Sequence, residues 1–252
     1  MNSQTIYAKP QSVKNIKDCY FYHVMEIPGY GKVGEEWDLR KGVDKYLGNV
    51  DLKGKRVLEI GPASGYLTFE MESRGAEIVG IELASTNDWD VVPHHLINKD
   101  DTEEERRESM TKLRNGFWFA HEKMKSKAKI YYGSIYNLPA ALGHFDVAIM
   151  GSVLLHTRDP LKIMEQCANL SDEFVITERH FPELDGLPVA SLYPTAESPQ
   201  WDTWWRFSPD FIVEYVKVLG FKNPKLTFHE QTHVFPGGKV EMPMFTVVAK
   251  KR

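Results

Sequence analysis

The sequence predicts an α/β protein with a doubly wound, mostly parallel sheet, and three observations carry that expectation. From Val57 onward, short apolar runs alternate with amphipathic segments, the pattern of βαβ units, which place helices on both faces of parallel strands. The apolar runs are short and bounded by glycine, proline or acidic residues, as buried strands are. The chain has 252 residues of which 42% are hydrophobic, enough to bury a substantial core.

Each element can be justified in turn. "RVLEIG" reads as the first strand, and "GYLTFEMESRG" has helical spacing up to a glycine stop. "AEIVGIEL" is the second strand. "ESMTKLRNGFWFAHEKMK" then sets Met110, Leu113, Phe117, Ala120 and Met124 on one helical face. "AKIYYGSI" and "HFDVAIMGSV" are the third and fourth strands. In "RDPLKIMEQCANL", Asp159 can cap a helix that begins at Pro160. "EFVITER" is the fifth strand, "SPDFIVEYVKVLGF" a helix capped near Ser208 or Asp210, and "PKLTFHE" and "MFTVVAKK" two closing strands at a sheet edge. The run "DDTEEERRE" reads as a solvated helix start, where acidic residues suit the helix dipole.

Two regions stand outside this alternation. Residues 1–50 contain the aromatic-rich "YFYHVMEIPGYGKVGEEWDLR" and are expected to cover the active site, with the main domain over residues 51–252. Residues 180–207, "HFPELDGLPVASLYPTAESPQWDTWWRF", are rich in proline and tryptophan and are expected to form a lid insertion.

Composition narrows the partners. A formal net charge of −4 gives no general attraction to phosphate backbones or anionic lipid, so nucleic acid is not favoured. No apolar run approaches the roughly 20 residues of a membrane span, and the polar start lacks an apolar signal core. The two cysteines, Cys19 and Cys167, show no redox or metal spacing. The expectation is a reduced, cytoplasmic protein with a small-molecule partner; its oligomeric state is left open.

The chemistry concentrates in "EIGPASG", Glu59 to Gly65, at the end of the first strand. In a doubly wound sheet ligands bind there, where the strand order reverses. Gly61 makes the sharp exit from the strand, and Gly65 allows a close approach at the helix start. Glu82 ends the second strand 17 residues later, where a carboxylate can accept from both hydroxyls of a ribose. A dinucleotide fingerprint wants glycines at the first, third and sixth positions; counted from Gly61 these are Gly61, Ala63 and Tyr66. A dehydrogenase is therefore disfavoured, and Glu59 is awkward beside a pyrophosphate. The competing structural reading is a strand–turn–helix junction with no ligand.

The stretch resembles the first motif of class I S-adenosylmethionine-dependent methyltransferases, acidic-x-Gly-x-x-x-Gly. "YHVMEIPGYGKVGEEWDLRKGV", "FDVAIMGSVLLHTRDPL" and "WDTWWRFSPDFIVEYVKVLGF" are similar to a branch related to the tRNA wobble-uridine carboxymethyltransferases. The resemblance implies a seven-stranded Rossmann-like sheet whose last strand is antiparallel, and S-adenosylmethionine as cofactor with S-adenosylhomocysteine as product. It implies that Glu59, Gly61, Ala63, Gly65, Glu82 and Leu83 bind that cofactor, with Gly151 lining its methionine moiety. Ser134 stands where an aspartate commonly receives the adenine amino group, and the backbone of Ile135 can share that task. Trp37 and Arg40 can close over the cofactor, Arg40 pairing its carboxylate bidentately; the alternative is a packed tryptophan and a structural salt bridge. Phe117 lies near the adenine position or in the core.

Methyl transfer needs an aligned nucleophile, exclusion of water and, for a hydroxyl acceptor, a base. His156, directly after the fourth strand, is the leading base, since imidazole titrates near neutrality. His23 in the aromatic segment and Glu178 at the end of strand five are further catalytic candidates. Tyr22, Arg179, Trp201, Trp204 and Trp205 are candidates for substrate binding, the tryptophans as walls for an apolar, sugar or cationic group. Helix capping, core burial and lid packing compete for these residues. The His94–His95 pair near Asp100 and Asp101 invites a metal reading, but adjacent histidines on a helix or strand point apart, and no metal is expected. The function expected is methyl transfer to an oxygen nucleophile on a sugar or natural product, with a histidine base. A tRNA-modifying (carboxy)methyltransferase and a non-catalytic cofactor-binding module are the alternatives.

Overall fold

A computed structural model describes residues 6–85, 89–98 and 102–251. Its centre is an eight-stranded sheet, one strand more than expected, in the order β3-β11-β12-β8-β7-β4-β5-β6. The parallel heart comprises β4 (Arg56–Ile60), β5 (Glu77–Glu82), β6 (Lys129–Tyr132), β7 (Phe145–Gly151) and β8 (Ser171–Arg179). The last strand, β12 (Gly238–Lys250), runs antiparallel to both β8 and β11 (Lys222–Phe235). The eighth strand is β3 (Trp37–Asp38), a two-residue edge strand from the N-terminal segment that pairs with Thr232 and His233 of β11. Its period-2 signal is too short to read in sequence.

The central strands are buried on both faces, so their side chains divide by pleat. Val57, Ile78, Val147 and Val175 face one core; Leu58, Val79, Ala148 and Ile176 face the other. The first core takes α1 (Val43–Tyr46), α2 (Tyr66–Ser73) and α3 (Glu103–Met124). The second takes α4 (Pro160–Leu170) and α5 (Pro209–Val218). Asp159 accepts from the Lys162 N–H at 3.0 Å with Pro160 at the first helical position, and Ser208 caps α5 by accepting from the Phe211 N–H at 3.1 Å. Both are the sequence-predicted caps, with Ser208 rather than Asp210 the acceptor.

The N-terminal segment is part of the first core. It forms a hairpin of β1 (Met25–Ile27) and β2 (Gly31–Val33), and buries Phe21, Met25, Ile27 and Leu39. Helix α3 is consequently buried around much of its circumference from Gly116 to His121, beyond the single apolar face that its spacing predicts. Gly116 permits this packing: a Cβ there would stand 2.3 Å from the Tyr20 carbonyl oxygen. The Tyr20 N–H also donates to the Lys112 carbonyl at 2.8 Å.

The insertion at 180–207 is ordered by a second hairpin, β9 (Ala190–Leu192) with β10 (Trp205–Phe207). Among the described residues, no helix is long and apolar enough to cross a membrane.

Candidate active site

The chain leaves β4 for β5 on one side and returns to β7 on the other, so the order reverses between β4 and β7. Two loops meet at that switch point. A Cβ on Gly61 would stand 3.2 Å from Val153 of the loop after β7. The first loop is wound through three left-handed residues, Gly61 (φ 72°), Ala63 (φ 51°) and Gly65 (φ 92°). Gly65 begins α2, and a Cβ on it would collide with the rings of Phe69 at 2.4 Å and Phe117 at 2.9 Å. The glycine is required by backbone conformation and by contact together. Phe117 is thereby a core residue, packed against Phe69 and Trp118.

Glu59 lies beneath this loop, 2% exposed, and accepts from Thr68 Oγ1 at 2.5 Å. Burial pushes its carboxyl up to about 8, against the Thr68 hydrogen bond. A buried carboxyl of this kind gains most from a cation brought beside it. Glu82, at the end of β5, is also raised by burial, while the N–H groups of Leu83 and Ala63 and the charge of Arg114 favour its ionised form. Arg114, which sequence reasoning missed, reaches this site from α3 by donating to the Leu83 carbonyl. Ser134 lies exposed in the turn after β6, where its hydroxyl accepts from the Tyr136 N–H at 3.2 Å, and Ile135 is buried behind it. That turn is tied to β5 through the Gly133 N–H and the Glu82 carbonyl, 3.0 Å apart.

The N-terminal segment closes over the loop. The Tyr22 N–H donates to Ser64 Oγ at 3.0 Å, and Trp37 donates to the Tyr22 side chain. His23 is 9% exposed, its ring between Tyr22 and Tyr66, with Nδ1 buried and unpartnered among the described residues. Burial lowers its pKa to about 3, so it stays neutral near pH 7 and is a weak proton acceptor. Trp37 packs edge-on to His233. Arg40 is half-exposed and already forks onto Asp38, Nε and Nη2 each 2.8 Å from a carboxylate oxygen. The pairing expected of Arg40 with a cofactor carboxylate would have to displace Asp38.

A Cβ on Gly151 would stand 2.9 Å from the Tyr46 ring, and Ser152 holds a strained left-handed φ of 51°. The Tyr46 hydroxyl lies 3.2 Å from Ser152 Oγ and within the field of Glu178, Tyr22 and Glu59. Tyr46 therefore links the two halves of the site. Glu178 is 1% exposed and is pushed up to about 8 by burial. Its Oε1 accepts from the Leu154 N–H at 3.0 Å, and the Leu155 N–H also faces it. Glu178 thus fastens the turn Leu154–His156. At the end of that turn His156 Nδ1 lies 2.6 Å from the Asp202 carbonyl oxygen. A carbonyl can only accept, so Nδ1 donates in this contact, which leaves Nε2 as the nitrogen facing away from it.

Under the lid lies a cavity of about 70 Å³. Glu178 and Arg179 meet it from β8, with aromatic walls from Phe181, Tyr193 and Phe207 and a margin of Leu155, Gln200 and Thr203. The tryptophans expected as substrate walls are not among the residues that line this cavity and make contacts within the 180–207 insertion and to its neighbours. Trp204 Nε1 donates to the Asp90 carbonyl at 2.6 Å, Trp205 Nε1 to the Thr157 carbonyl at 2.9 Å, and Trp201 packs on Trp89. The wall residues escaped sequence reading because the lid has no period from which to assign faces.

The His94–His95 rings are stacked at 5.0 Å rather than pointing apart, since the residues lie in neither a helix nor a strand. His94 uses both ring nitrogens, on the Thr195 carbonyl and the Leu96 N–H. Asp100 and Asp101 lie outside the described residues.

These residues fit an adenosyl cofactor with a cationic tail: two carboxyls at the strand ends, a loop that admits close approach, and an orphaned imidazole nitrogen above it. Comparison with known proteins agrees. The profile of a family described as a methyltransferase domain matches residues 35–218. A ubiquinone biosynthesis O-methyltransferase from Neisseria meningitidis serogroup C is 29% identical over 161 residues, which are 58% of this chain and 56% of that protein. The chain thus spans little more than half the length of that curated relative. A Pyrococcus horikoshii structure provisionally described as an RNA methyltransferase superposes with a TM-score of 0.51 at 15% identity, over 84% of each chain, a likeness of fold alone. The N-terminal domain of EvdMO1, determined with S-adenosylhomocysteine and D-fucose, gives 0.47 at 17% identity over 84% of this chain and 81% of that one. These matches reach the family and the fold, and none singles out the tRNA-related branch.

Proposed function

The chain belongs to the methyltransferase-domain family and is a class I S-adenosylmethionine-dependent enzyme; from that premise we propose that it methylates an oxygen nucleophile on a small molecule, a sugar or natural product, with His156 as general base. The observation that carries this reading is the aromatic-walled cavity that shares Glu178 with the turn bearing His156. A cavity of about 70 Å³ has room for several waters or the polar end of a small molecule.

When bound, S-adenosylmethionine supplies a methyl carbon activated by an adjacent sulfonium. The protein's tasks are then to bind, align and deprotonate. Glu82 is placed to accept from ribose hydroxyls, and Glu59 to favour the cationic part of the ligand. The loop Gly61–Gly65 lets the backbone approach, and Tyr22, held through Ser64, helps to exclude water. On this reading Gly151, Ser152 and Tyr46, packed together after β7, stand between cofactor and acceptor. His156 takes the acceptor's proton on Nε2 while the Asp202 carbonyl holds the Nδ1–H, the tautomer that a base requires. Glu178 acts as a positioning residue through the turn.

Titration calorimetry with S-adenosylmethionine, S-adenosylhomocysteine and NAD tests the cofactor class. The expected result is binding of both adenosyl ligands and none of NAD; failure of both adenosyl ligands at millimolar concentration overturns the reading. A methyl-transfer screen against small-molecule pools and extracted RNA then tests the acceptor class, with label expected in the small-molecule fraction.

A further inference from the structure

We propose that the cavity under the lid binds the carboxylate end of a flat, ring-bearing acceptor, with Arg179 as the partner of that carboxylate; this rests on the methyltransferase reading and names its substrate class.

The argument begins with charge. Arg179 stands at the end of β8 and lines the cavity. Its Nε is buried without a hydrogen-bond partner, and no carboxylate among the described residues pairs with it. Its charge contact is with the face of Phe181, 5.1 Å from the ring centroid. A guanidinium that is partly desolvated and unpaired is costly unless something supplies the missing acceptors. The neighbouring Arg206, whose Nε is likewise buried without a partner, also lies over Phe181 but pairs with Glu183 at 3.6 Å. Arg179 is therefore the cation left for a ligand.

The surroundings select among anions. Glu178 precedes Arg179 on β8 and meets the same cavity, but no ion pair joins the two, and burial holds the Glu178 carboxyl up to about 8, mostly neutral near pH 7. The cavity is small, and Arg206, which carries Glu183, shares the Phe181 ring with Arg179. A planar monoanion fits the guanidinium fork bidentately, whereas a dianionic phosphate would meet more repulsion in less room. Phe181, Tyr193 and Phe207 present three rings to the same space, which suits a flat ring attached to the carboxylate.

The test is calorimetry on the full chain saturated with S-adenosylhomocysteine, using 3-hydroxybenzoate and its neutral isostere 3-hydroxybenzamide as probes. The benzoate is expected to bind at least roughly tenfold tighter than the benzamide, about 1.4 kcal/mol. Arg179→Met is expected to erase that preference while leaving the S-adenosylhomocysteine Kd within about twofold, and Arg179→Lys to restore part of it. Equal affinity of the two probes for the unmodified protein, a preference that survives Arg179→Met, or no binding of either probe would each overturn the proposal. Should Arg179→Met fail to fold, the comparison of the two probes on the unmodified protein still decides. If S-adenosylhomocysteine itself does not bind, the methyltransferase reading fails first, and the two failures are told apart.

Discussion

The two halves of this site are built by different means. The proposed donor half, Glu59 to Gly65 with Glu82, is local: two strand ends and one loop, its geometry set by backbone conformations that few residues adopt. The proposed acceptor half is assembled from β8, the turn after β7 and the β9–β10 hairpin, and its precision comes from long-range hydrogen bonds such as His156 to Asp202 and Trp204 to Asp90. A local site breaks when one backbone position is changed. A distributed site is expected to lose function by degrees while the fold survives.

The sharpest way to break the donor half is Gly65→Ala. It forces a left-handed backbone on alanine and drives a Cβ into two rings at 2.4 and 2.9 Å. Left-handed strain and overpacking together predict about 2–5 kcal/mol of lost stability, with loss of S-adenosylhomocysteine binding. Urea denaturation and calorimetry read both; an unchanged midpoint would show that the loop is not the rigid element described.

In the acceptor half, His156→Ala should leave the donor half alone. Turnover is expected to fall roughly 10²–10⁴-fold, the usual weight of general acid–base catalysis, while the S-adenosylhomocysteine Kd stays within about threefold. Equal loss in both would make His156 a structural residue, and unchanged turnover would remove it as the base.

The halves also share a signature in pH. Glu59 and Glu178 are each raised to about 8, so the folded protein keeps protons that the unfolded chain has released above its ordinary carboxylate range. Stability should therefore fall as pH rises toward 8, by at most about 1.4 kcal/mol per pH unit for each group. His23 and His229, lowered to about 3 and about 4, act in the opposite sense: the unfolded chain binds the extra protons, and stability rises with pH up to their ordinary value of 6.5. The slopes oppose one another below pH 6.5, and the decline emerges between 6.5 and 8. Glu59→Gln and Glu178→Gln should each remove one share of that decline in thermal unfolding. If one of them does not, the half to which it belongs is more open to water than its burial implies.

The same contrast decides what could be read from sequence. The parallel sheet, the α4 and α5 caps and the Glu59–Gly65 loop were legible because period, cap chemistry and glycine spacing are local signals. The edge strand Trp37–Asp38 was not, since two residues have no period and its pairing with Thr232 and His233 spans most of the chain. The cavity walls were not either. Phe181, Tyr193 and Phe207 look like any lid aromatics, and tryptophan density drew attention to residues whose indole N–H groups hold the lid down. Glu178 and Arg179 could be singled out from sequence because the end of a parallel strand faces the sheet's switch-point edge. That one fastens a turn and the other is unpaired depends on long-range contacts that no local signal encodes.

The mildest test acts on Ala63, the non-glycine residue of this loop that holds a left-handed backbone. Alanine holds φ 51° here, and its N–H is directed to Glu82. Left-handed backbone costs a residue with a Cβ about 1–2 kcal/mol, while glycine gives back part of that gain through the freedom it has when unfolded. Ala63→Gly should therefore stabilise the protein by somewhat under about 1 kcal/mol and leave the Glu82 hydrogen bond and S-adenosylhomocysteine affinity unchanged. A loss of affinity would mean that the methyl group stiffens the loop in its binding shape. The donor half would then depend on a side chain as well as on its backbone, and the distinction between the two halves would narrow.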